Sequence, residues 1–229
     1  MQKMHMFPLN HNYSTMHLIP IILNIKVLFN IHMYTFLNKN LNITENHLKI
    51  LSLFSSGYNK SFYIREVNRI LEISPRTAQL ILNDLENKGI LESIIRGKIK
   101  TYILRKNQTS KYYLALAETY KTTIFMDNNS VIKEIIERIL PLTSGIGLIF
   151  GSYAKGDQRE GSDLDIFLAG HADTRKIREI SKAYGIDINF VVYPLEKYKS
   201  VIDKDILLKE ILENHIVISN IDGFVSSVI

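Results

Sequence analysis

Two apolar runs, separated by a glycine-serine pair and two aspartates, constrain this chain more than any other feature. The first run, Ile146–Phe150, leads directly into Gly151 and Ser152, where a short helical turn is expected to begin. Asp163 and Asp165 then precede a second apolar run. Side chains two positions apart on a strand project from the same face, so the two carboxylates are predicted to stand side by side.

These residue types suit phosphate and metal chemistry. Gly151 allows the backbone to approach an anion, and the Ser152 hydroxyl, the free N–H groups and the positive end of a helix can bind phosphate oxygens. Neighbouring carboxylates such as Asp163 and Asp165 repel each other unless a cation lies between them, and Mg²⁺ binds through carboxylates and substrate phosphates. We therefore expect a nucleoside triphosphate (NTP) substrate and Mg²⁺ or Mn²⁺ as cofactor, as in two-metal phosphoryl transfer.

The same segment resembles the DNA polymerase beta-like nucleotidyltransferase superfamily. The residues that carry the resemblance are Gly151, Ser152, Gly156 and Ser162-Asp163-Leu164-Asp165. Residues 141–219 look like the compact, minimal branch of that superfamily. The resemblance implies an α+β fold with a mixed β-sheet flanked by helices, phosphate binding by Gly151 and Ser152, and Mg²⁺ binding by Asp163 and Asp165. Lys155 and Arg159 could add positive charge against the triphosphate or could be solvated surface residues.

The superfamily usually places a third carboxylate on a later strand, and this sequence departs from that pattern. The strand is predicted over 186–193, and Asn189 occupies the position of the aspartate. Asparagine can bind a cation through its carbonyl oxygen but cannot accept a proton. Asp187 should share a face with Asn189, about 7 Å along the strand. We therefore take Asp187 as a third candidate catalytic residue, beside Asp163 and Asp165, and Asn189 as a third candidate metal ligand.

The front half of the chain predicts helices followed by a hairpin. Ser74 and Pro75 are an N-cap and a first helical residue, which is a strong helix start. The predicted elements are a helix from about Asn42 that ends at Gly57, helices over 64–71 and 75–88, and strands over 90–95 and 99–104.

This order is that of a winged helix-turn-helix, and the segment resembles those of prokaryotic transcriptional regulators through Tyr63-Ile64-Arg65-Glu66 and Ile73-Ser74-Pro75-Arg76-Thr77. The third helix would then enter a DNA major groove, and the wing would meet phosphates. The candidate groove residues are Arg76, Thr77, Gln79 and Asn83, and the candidate wing residues are Arg96, Lys98 and Lys100. Winged helices also serve as dimerisation or docking modules, so that alternative stays open.

The distribution of charge agrees with a nucleic-acid partner. Residues 1–110 carry 14 Lys and Arg against 6 Asp and Glu, whereas residues 111–229 carry 14 against 17. A basic front half favours a polyanionic partner, although a solvated lysine surface explains part of it.

The predicted organisation has four parts. Residues 1–40 are an uncertain N-terminal extension, and a true translation start at Met33 would largely remove it. Residues 41–107 are the winged helix, and residues 108–140 are a helical linker. Residues 141–229 are the nucleotidyltransferase domain. Beyond the last predicted strand, 196–213 is interpreted as one helix.

Composition excludes several classes. The chain has no cysteine, which removes disulfide scaffolds, zinc ribbons and thiol nucleophiles and makes the cytoplasm the expected compartment. The apolar stretch over 17–37 is interrupted by proline, lysine, asparagine and histidine, so we expect no membrane span.

Two function classes remain open. The first is a nucleotidyltransferase that transfers a nucleoside monophosphate to a protein, RNA or small-molecule hydroxyl, with the winged helix binding DNA. Minimal nucleotidyltransferases include antitoxins that modify a toxin, and this chain lacks the Arg-x4–6-His motif usual in such toxins, so a toxin would be a separate polypeptide. The second is a DNA-binding regulator with a degenerate, nucleotide-sensing domain, which Asn189 favours. A homodimer fits both classes.

Overall fold

The computed structural model describes residues 42–55 and 59–229, and it describes the backbone but not the side chain of Arg96. The expected N-terminal extension and the helix end expected at Gly57 lie outside these residues. The chain divides into a unit over 1–44 and a unit over 45–229, and all helices and strands discussed below belong to the second.

The first part of this unit is a winged helix-turn-helix, as predicted. Its elements are α1 (Glu45–Ser55), β1 (Ser61–Tyr63), α2 (Ile64–Leu71), α3 (Pro75–Asn87), β2 (Leu91–Arg96) and β3 (Ile99–Leu104). The Ser74 hydroxyl accepts a hydrogen bond from the Thr77 N–H at 3.0 Å, and Pro75 is the first residue of α3, so the predicted helix start is confirmed. The strands form an antiparallel sheet in the order β1-β3-β2, and β2 and β3 make the wing.

The second part carries a mixed sheet flanked by helices. Its elements are α4 (Gln108–Asn128), α5 (Ser130–Ile139), β4 (Thr143–Phe150), α6 (Gly151–Lys155), β5 (Leu164–Ala172), α7 (Thr174–Tyr184), β6 (Ile188–Tyr193), α8 (Leu195–Val201), α9 (Ile206–Glu213), β7 (Ile216–Ser219) and α10 (Ile221–Val228). Between residues 143 and 219 the strand order is β6-β5-β4-β7. The pair of β5 and β6 is parallel, and β4 pairs antiparallel with β5 and with β7. The predicted α+β fold class is confirmed.

The sheet buries both of its faces, which explains why its central strands are apolar along their length. On one face, Leu148 and Phe167 belong to a core that includes Tyr198 of α8 and extends into the winged helix. On the other face, Ile149 and Ile166 pack with the isoleucines of α5. The helices on both sides therefore hold β4 and β5 in place, and β4 ends and β5 begins at the glycine-serine corner.

The C-terminal part differs from the sequence interpretation. The segment 196–213 is not one helix, because α8 ends at Val201 and α9 begins at Ile206. The Asp205 carboxylate accepts a hydrogen bond from the Leu208 N–H at 3.1 Å, and such a cap competes with continuation of a helix through the aspartate. The following strand β7 adds to the edge of the sheet beside β4. Across the described ranges, no helix is both long enough and apolar enough to cross a membrane.

Candidate active site

The corner between β4 and α6 requires a glycine. Gly151 has a φ of +70°, in the left-handed region that favours glycine. Phe150, the residue before it, pairs with Asp165 across the antiparallel strands. A Cβ atom on Gly151 would collide with Oδ2 of Asp165. The glycine therefore allows the start of α6 to lie directly against the Asp165 carboxylate.

Asn189 joins the two predicted carboxylates. In the parallel register of β5 and β6, Asp165 lies opposite Asn189. The Asn189 side-chain amide donates to Oδ1 of Asp165 at 3.0 Å and to Oδ2 of Asp163 at 3.3 Å. Among the described residues, neither carboxylate forms an ion pair with lysine or arginine. The sequence-predicted ligands Asp163, Asp165 and Asn189 are thus brought together.

Asp187, in contrast, is not brought into this group. It lies just before β6, and its backbone carbonyl accepts a hydrogen bond from the Leu164 N–H at 2.8 Å. In the part of the chain that the structure describes, no three acidic or histidine side chains lie close enough to hold one metal ion. The carboxylate of Asp187 therefore does not complete a triad with Asp163 and Asp165, because the strand register places Asn189 beside them instead.

The loop from α6 to β5 is closed by short-range hydrogen bonds. The Ser152 carbonyl accepts from the N–H groups of Gly156 and Asp157, which ends α6 after little more than one turn. The Arg159 N–H donates to the Ser162 hydroxyl at 2.8 Å, and the Ser162 N–H donates back to the Arg159 carbonyl at 3.0 Å. This reciprocal turn fixes the backbone immediately before Asp163.

The two basic residues of the loop differ in their surroundings. Lys155 lies at the C-terminal end of α6, with its ammonium 3.5 Å from a carboxylate oxygen of Glu210 on α9. Both partners are exposed, and an ion pair of this kind contributes little, so an incoming phosphate could compete for the lysine. Arg159 is exposed in the loop. No sequence pattern indicates Glu210 as a partner of Lys155, because only the packing of α9 brings the two together.

The predicted DNA-contacting residues lie on α3 and on the wing. Arg76, Thr77 and Gln79 occupy the first turns of α3, and the Arg76 guanidinium donates to the Gln79 amide oxygen at 3.3 Å. Arg96 ends β2, and Lys98 is exposed at the turn of the wing after Gly97. The helix and the wing turn therefore both present basic side chains, as expected for a winged helix on DNA.

Two further predicted DNA contacts point elsewhere. The Asn83 amide oxygen accepts a hydrogen bond from the Tyr102 hydroxyl at 2.8 Å, which directs it to the hairpin. Lys100 forms an ion pair with Glu86 at 2.6 Å, and the hydrogen bond from Lys100 is the main reason that the pKa of Glu86 lies below its usual value. Both side chains help to hold the wing against α3, and their contacts with DNA stay predictions.

A buried polar cluster that the sequence interpretation missed lies where α4 passes β7. The fully buried Glu118 bonds to Lys121 at 3.0 Å and to His215 Nε2 at 3.2 Å. The Lys121 ammonium also reaches the Ser55 hydroxyl at the end of α1, at 3.4 Å. The cluster thus touches the winged helix and the mixed sheet together. The sequence shows Glu118 and Lys121 about one helical turn apart on α4, a spacing that indicates an ion pair. The spacing does not indicate that the carboxylate is buried.

The charges of this cluster follow from burial and contact. Burial lowers the pKa of His215, repulsion by Lys121 lowers it further, and attraction by Glu118 opposes both. Burial also disfavours a charged Glu118, yet attraction by its basic neighbours outweighs burial and lowers the pKa of Glu118 from 4.5 to about 2. The attraction comes first from His215 and then from Lys121. Glu118 and Lys121 form an ion pair in which the carboxylate is fully buried and the lysine side chain is 14% exposed.

Comparison with a protein-family model agrees with the fold of the second part of the chain. Residues 130–225 match the model described as "Nucleotidyltransferase domain". The matched region begins with α5 and ends in α10. The chain therefore joins a winged helix-turn-helix to a nucleotidyltransferase domain. A comparison of the sequence with curated proteins finds no match.

Solved structures similar to the chain include regulators and a chromatin protein. The transcriptional regulator BldR from Sulfolobus solfataricus is 16% identical, with 50% of this chain and 81% of BldR covered and a TM-score of 0.35. A MarR protein from Peptoclostridium difficile is 14% identical over 60% of this chain and 92% of its own, with a TM-score of 0.35. TrmBL2, an archaeal chromatin protein, is 14% identical over 74% of each chain, with a TM-score of 0.26. At these scores the likenesses carry no argument, and the winged helix is identified from its own helices and hairpin.

Proposed function

We propose that this protein is a Mg²⁺-dependent nucleotidyltransferase that transfers a nucleoside monophosphate from an NTP to a hydroxyl group. One observation carries the proposal: Asp163, Asp165 and Asn189 meet beside the Gly151 corner, where α6 begins. In the reaction, the acceptor oxygen forms a bond to the α-phosphorus, and the bond from that phosphorus to pyrophosphate breaks. The proton of the acceptor hydroxyl is released to solvent or to a neighbouring base.

The residues at the corner fit a magnesium or manganese ion. Asp163 and Asp165 supply carboxylate oxygens close to one amide and without a cationic partner among the described residues, and hard divalent cations favour such oxygen ligands. Rotation of the Asn189 amide would present its oxygen in place of its nitrogen. When bound, the ion would neutralise charge on the triphosphate and favour departure of pyrophosphate.

The chain's own residues would hold the substrate. The Ser152 hydroxyl and the first N–H groups of α6 can donate to phosphate oxygens, and Gly151 leaves the space for their approach. Lys155 can exchange Glu210 for a phosphate, and Arg159 is exposed close by in the chain. Asn189 cannot take a proton, so the carboxylates beside it or solvent would have to do so.

The transfer of label from an NTP tests this proposal. The protein is incubated with α-³²P-labelled NTPs, Mg²⁺ or Mn²⁺ and cell extract as the source of acceptors. We expect a labelled macromolecule, and we expect Asp165→Asn to reduce the label about 100-fold or more, the size of effect that follows loss of one electrostatic group in an active site. Asp222→Asn, a matched change of an exposed carboxylate on α10, should leave the label unchanged.

A second function is favoured by Asn189 at the third ligand position. In this alternative, the protein is a DNA-binding regulator whose nucleotidyltransferase domain senses a nucleotide without transferring it. Binding of NTP without labelling of any acceptor, equal in the native protein and in Asp163→Ala, would favour the sensor over the enzyme. In both functions we propose that the winged helix binds DNA through Arg76, Gln79 and Lys98.

The acceptor is proposed as a hydroxyl on a protein, an RNA or a small molecule. A separate toxin polypeptide is one such protein. Treatment of the labelled product with protease and with ribonuclease separates these classes, because only the matching enzyme releases the label from the macromolecule.

A further inference from the structure

A cleft of about 510 Å³ lies between the winged helix and the nucleotidyltransferase domain, within the unit 45–229. Its walls come from α1, from Leu71 at the end of α2, from the second half of α4, and from α6 with the residues that follow it. Its lining does not include Gly151, Ser152, Asp163 or Asp165, so the cleft is separate from the corner where the substrate phosphates are proposed to bind. Its volume is in the range of small-molecule sites.

The charge that faces the cleft has one sign. Within the described residues, its lining contains Lys49 of α1, Lys121 of α4 and Lys155 of α6 and no aspartate or glutamate. The carboxylate partners of these lysines are Glu45, Glu118 and Glu210, and each lies outside the lining. Each lysine therefore contributes to the wall of the cleft while its carboxylate partner does not, and an anion in the cleft would meet positive groups from separate elements.

The remaining lining suits a planar, partly polar ring. Tyr120 and Phe125 of α4 and Tyr153 of α6 contribute aromatic surface, and Phe125 is buried. Side-chain amides of Asn128 and Gln158 supply donors and acceptors at the same cavity. Nucleobases bind proteins through stacking on such rings and hydrogen bonds to such amides.

We propose that this cleft is a second nucleotide site, which binds the base on the aromatic wall and the phosphates on the lysines without needing the metal site. The site shares Lys155 with the candidate active site but includes neither the Gly151 corner nor the carboxylates of Asp163 and Asp165, and it does not depend on the proposed transfer reaction. A nucleotide there would touch α1 of the winged helix and the last residues of α6 at once. The ligand class is a free nucleoside phosphate.

Equilibrium dialysis in EDTA tests the cleft, because removal of divalent cations weakens binding that depends on Asp163 and Asp165. The probes are ATP, GTP, CTP and UTP, each labelled with ³H in its base. We expect at least one of them to bind with one molecule per chain, and we expect Lys49→Glu to weaken it about tenfold, since an attractive charge at the rim becomes repulsive. Lys133→Glu, a change of an exposed lysine outside the lining, should bind as the native protein does.

Photolabelling gives a second measurement that locates the nucleotide. With 8-azido-ATP in EDTA, the label is expected on α4, within residues 112–133, and it should decrease in Lys49→Glu. Thermal melting of Lys49→Glu checks that the variant is folded, since it loses only an exposed ion pair with Glu45.

Three results would overturn the proposal: no binding of any of the four nucleotides in EDTA, equal binding by the native protein and folded Lys49→Glu, or label confined to residues 146–152 and 159–165, which lie outside the lining. Loss of binding in Asp165→Asn alone would place the nucleotide in the active site and count against the cleft in the same way. The transfer reaction is judged by its own labelling assay with Mg²⁺, so either proposal can fail while the other stands.

Discussion

At the scale of single residues, the contact between Gly151 and Asp165 determines the geometry of the site. The glycine has a positive φ, and the space where its Cβ would lie is taken by the Asp165 carboxylate. Gly185 offers a matched comparison, because its φ is +65° and a Cβ there would meet nothing within 4 Å. Both glycines have a positive φ, and they differ in what an added Cβ atom would contact.

We expect Gly151→Ala and Gly185→Ala each to lower the free energy of unfolding by about 1 kcal/mol, the cost of a Cβ in the left-handed region. Gly151→Ala should lose more, because the Asp165 carboxylate must also move, and its transfer activity should fall about 100-fold, as a displacement near 1 Å can do. Urea unfolding and the labelling assay measure the two effects. Equal activity of the two variants would contradict a close approach at Gly151.

At the scale of elements, the helix α3 and the wing act as one surface because polar side chains hold them together. Lys100 pairs with Glu86, and Tyr102 bonds to Asn83. Lys100 and Asn83, which were predicted to contact DNA, thus also connect the wing to α3. Arg76 at the start of α3 and Lys98 at the wing turn take no part in these contacts. Phosphate contacts at such positions orient a protein on DNA without reading its sequence.

We expect the protein to bind duplex DNA of random sequence with an affinity that falls steeply with salt. Lys98→Ala should reduce the slope of log affinity against log salt concentration by about 1, the effect of losing one phosphate contact. Lys199→Ala, on α8 of the other domain, is the matched control and should keep the slope. Fluorescence anisotropy over a series of salt concentrations measures this. An unchanged slope in Lys98→Ala would exclude the wing turn from the DNA contact.

At the scale of the whole molecule, α4 connects the two domains. Leu114 and Ala117 of α4 belong to the same hydrophobic core as Leu51 of α1 and Leu148 of β4. Beside that core, the Glu118–Lys121 pair contacts both Ser55 and His215. The winged helix and the mixed sheet therefore share buried contacts and are expected to unfold together.

We expect the buried pair to make stability depend on acid. The pKa of Glu118 falls from 4.5 to about 2 on folding, so its stabilising contribution is fully present above about pH 4.5 and is lost as the pH falls toward 2. Glu118→Gln should remove this part of the pH dependence. It should also cost about 2 kcal/mol at pH 7, because the partly buried ammonium of Lys121 loses its carboxylate partner.

Urea unfolding at a series of pH values measures both effects. Glu137→Gln, an exposed glutamate on α5, is the control and should leave stability and its pH profile nearly unchanged. A Glu118→Gln profile parallel to that of the native protein would show that Glu118 is not the group responsible.

The features that could be predicted from the sequence are those set by residues close together in the chain. Ser74 and Pro75 predicted the start of α3 because a cap and a first-turn proline act within four residues. Gly151, Asp163 and Asp165 predicted the corner for a similar reason, since a strand end and an i, i+2 pair are local geometry. The single helix expected over 196–213 was wrong, because the aspartate cap at Asp205 begins a new helix, and this competing local signal was not recognised.

The sequence by itself determined the winged helix, the mixed sheet and the pair of carboxylates at the glycine-serine corner. Hydrophobic periodicity, caps and turns depend on residues that are close together in the chain. Only the tertiary structure decided that Asn189 and not Asp187 joins those carboxylates, that Lys155 meets Glu210, and that Glu118 is buried with Lys121. Each of these depends on strand register or on the packing of distant helices, where a shift of one residue turns a side chain to the opposite face.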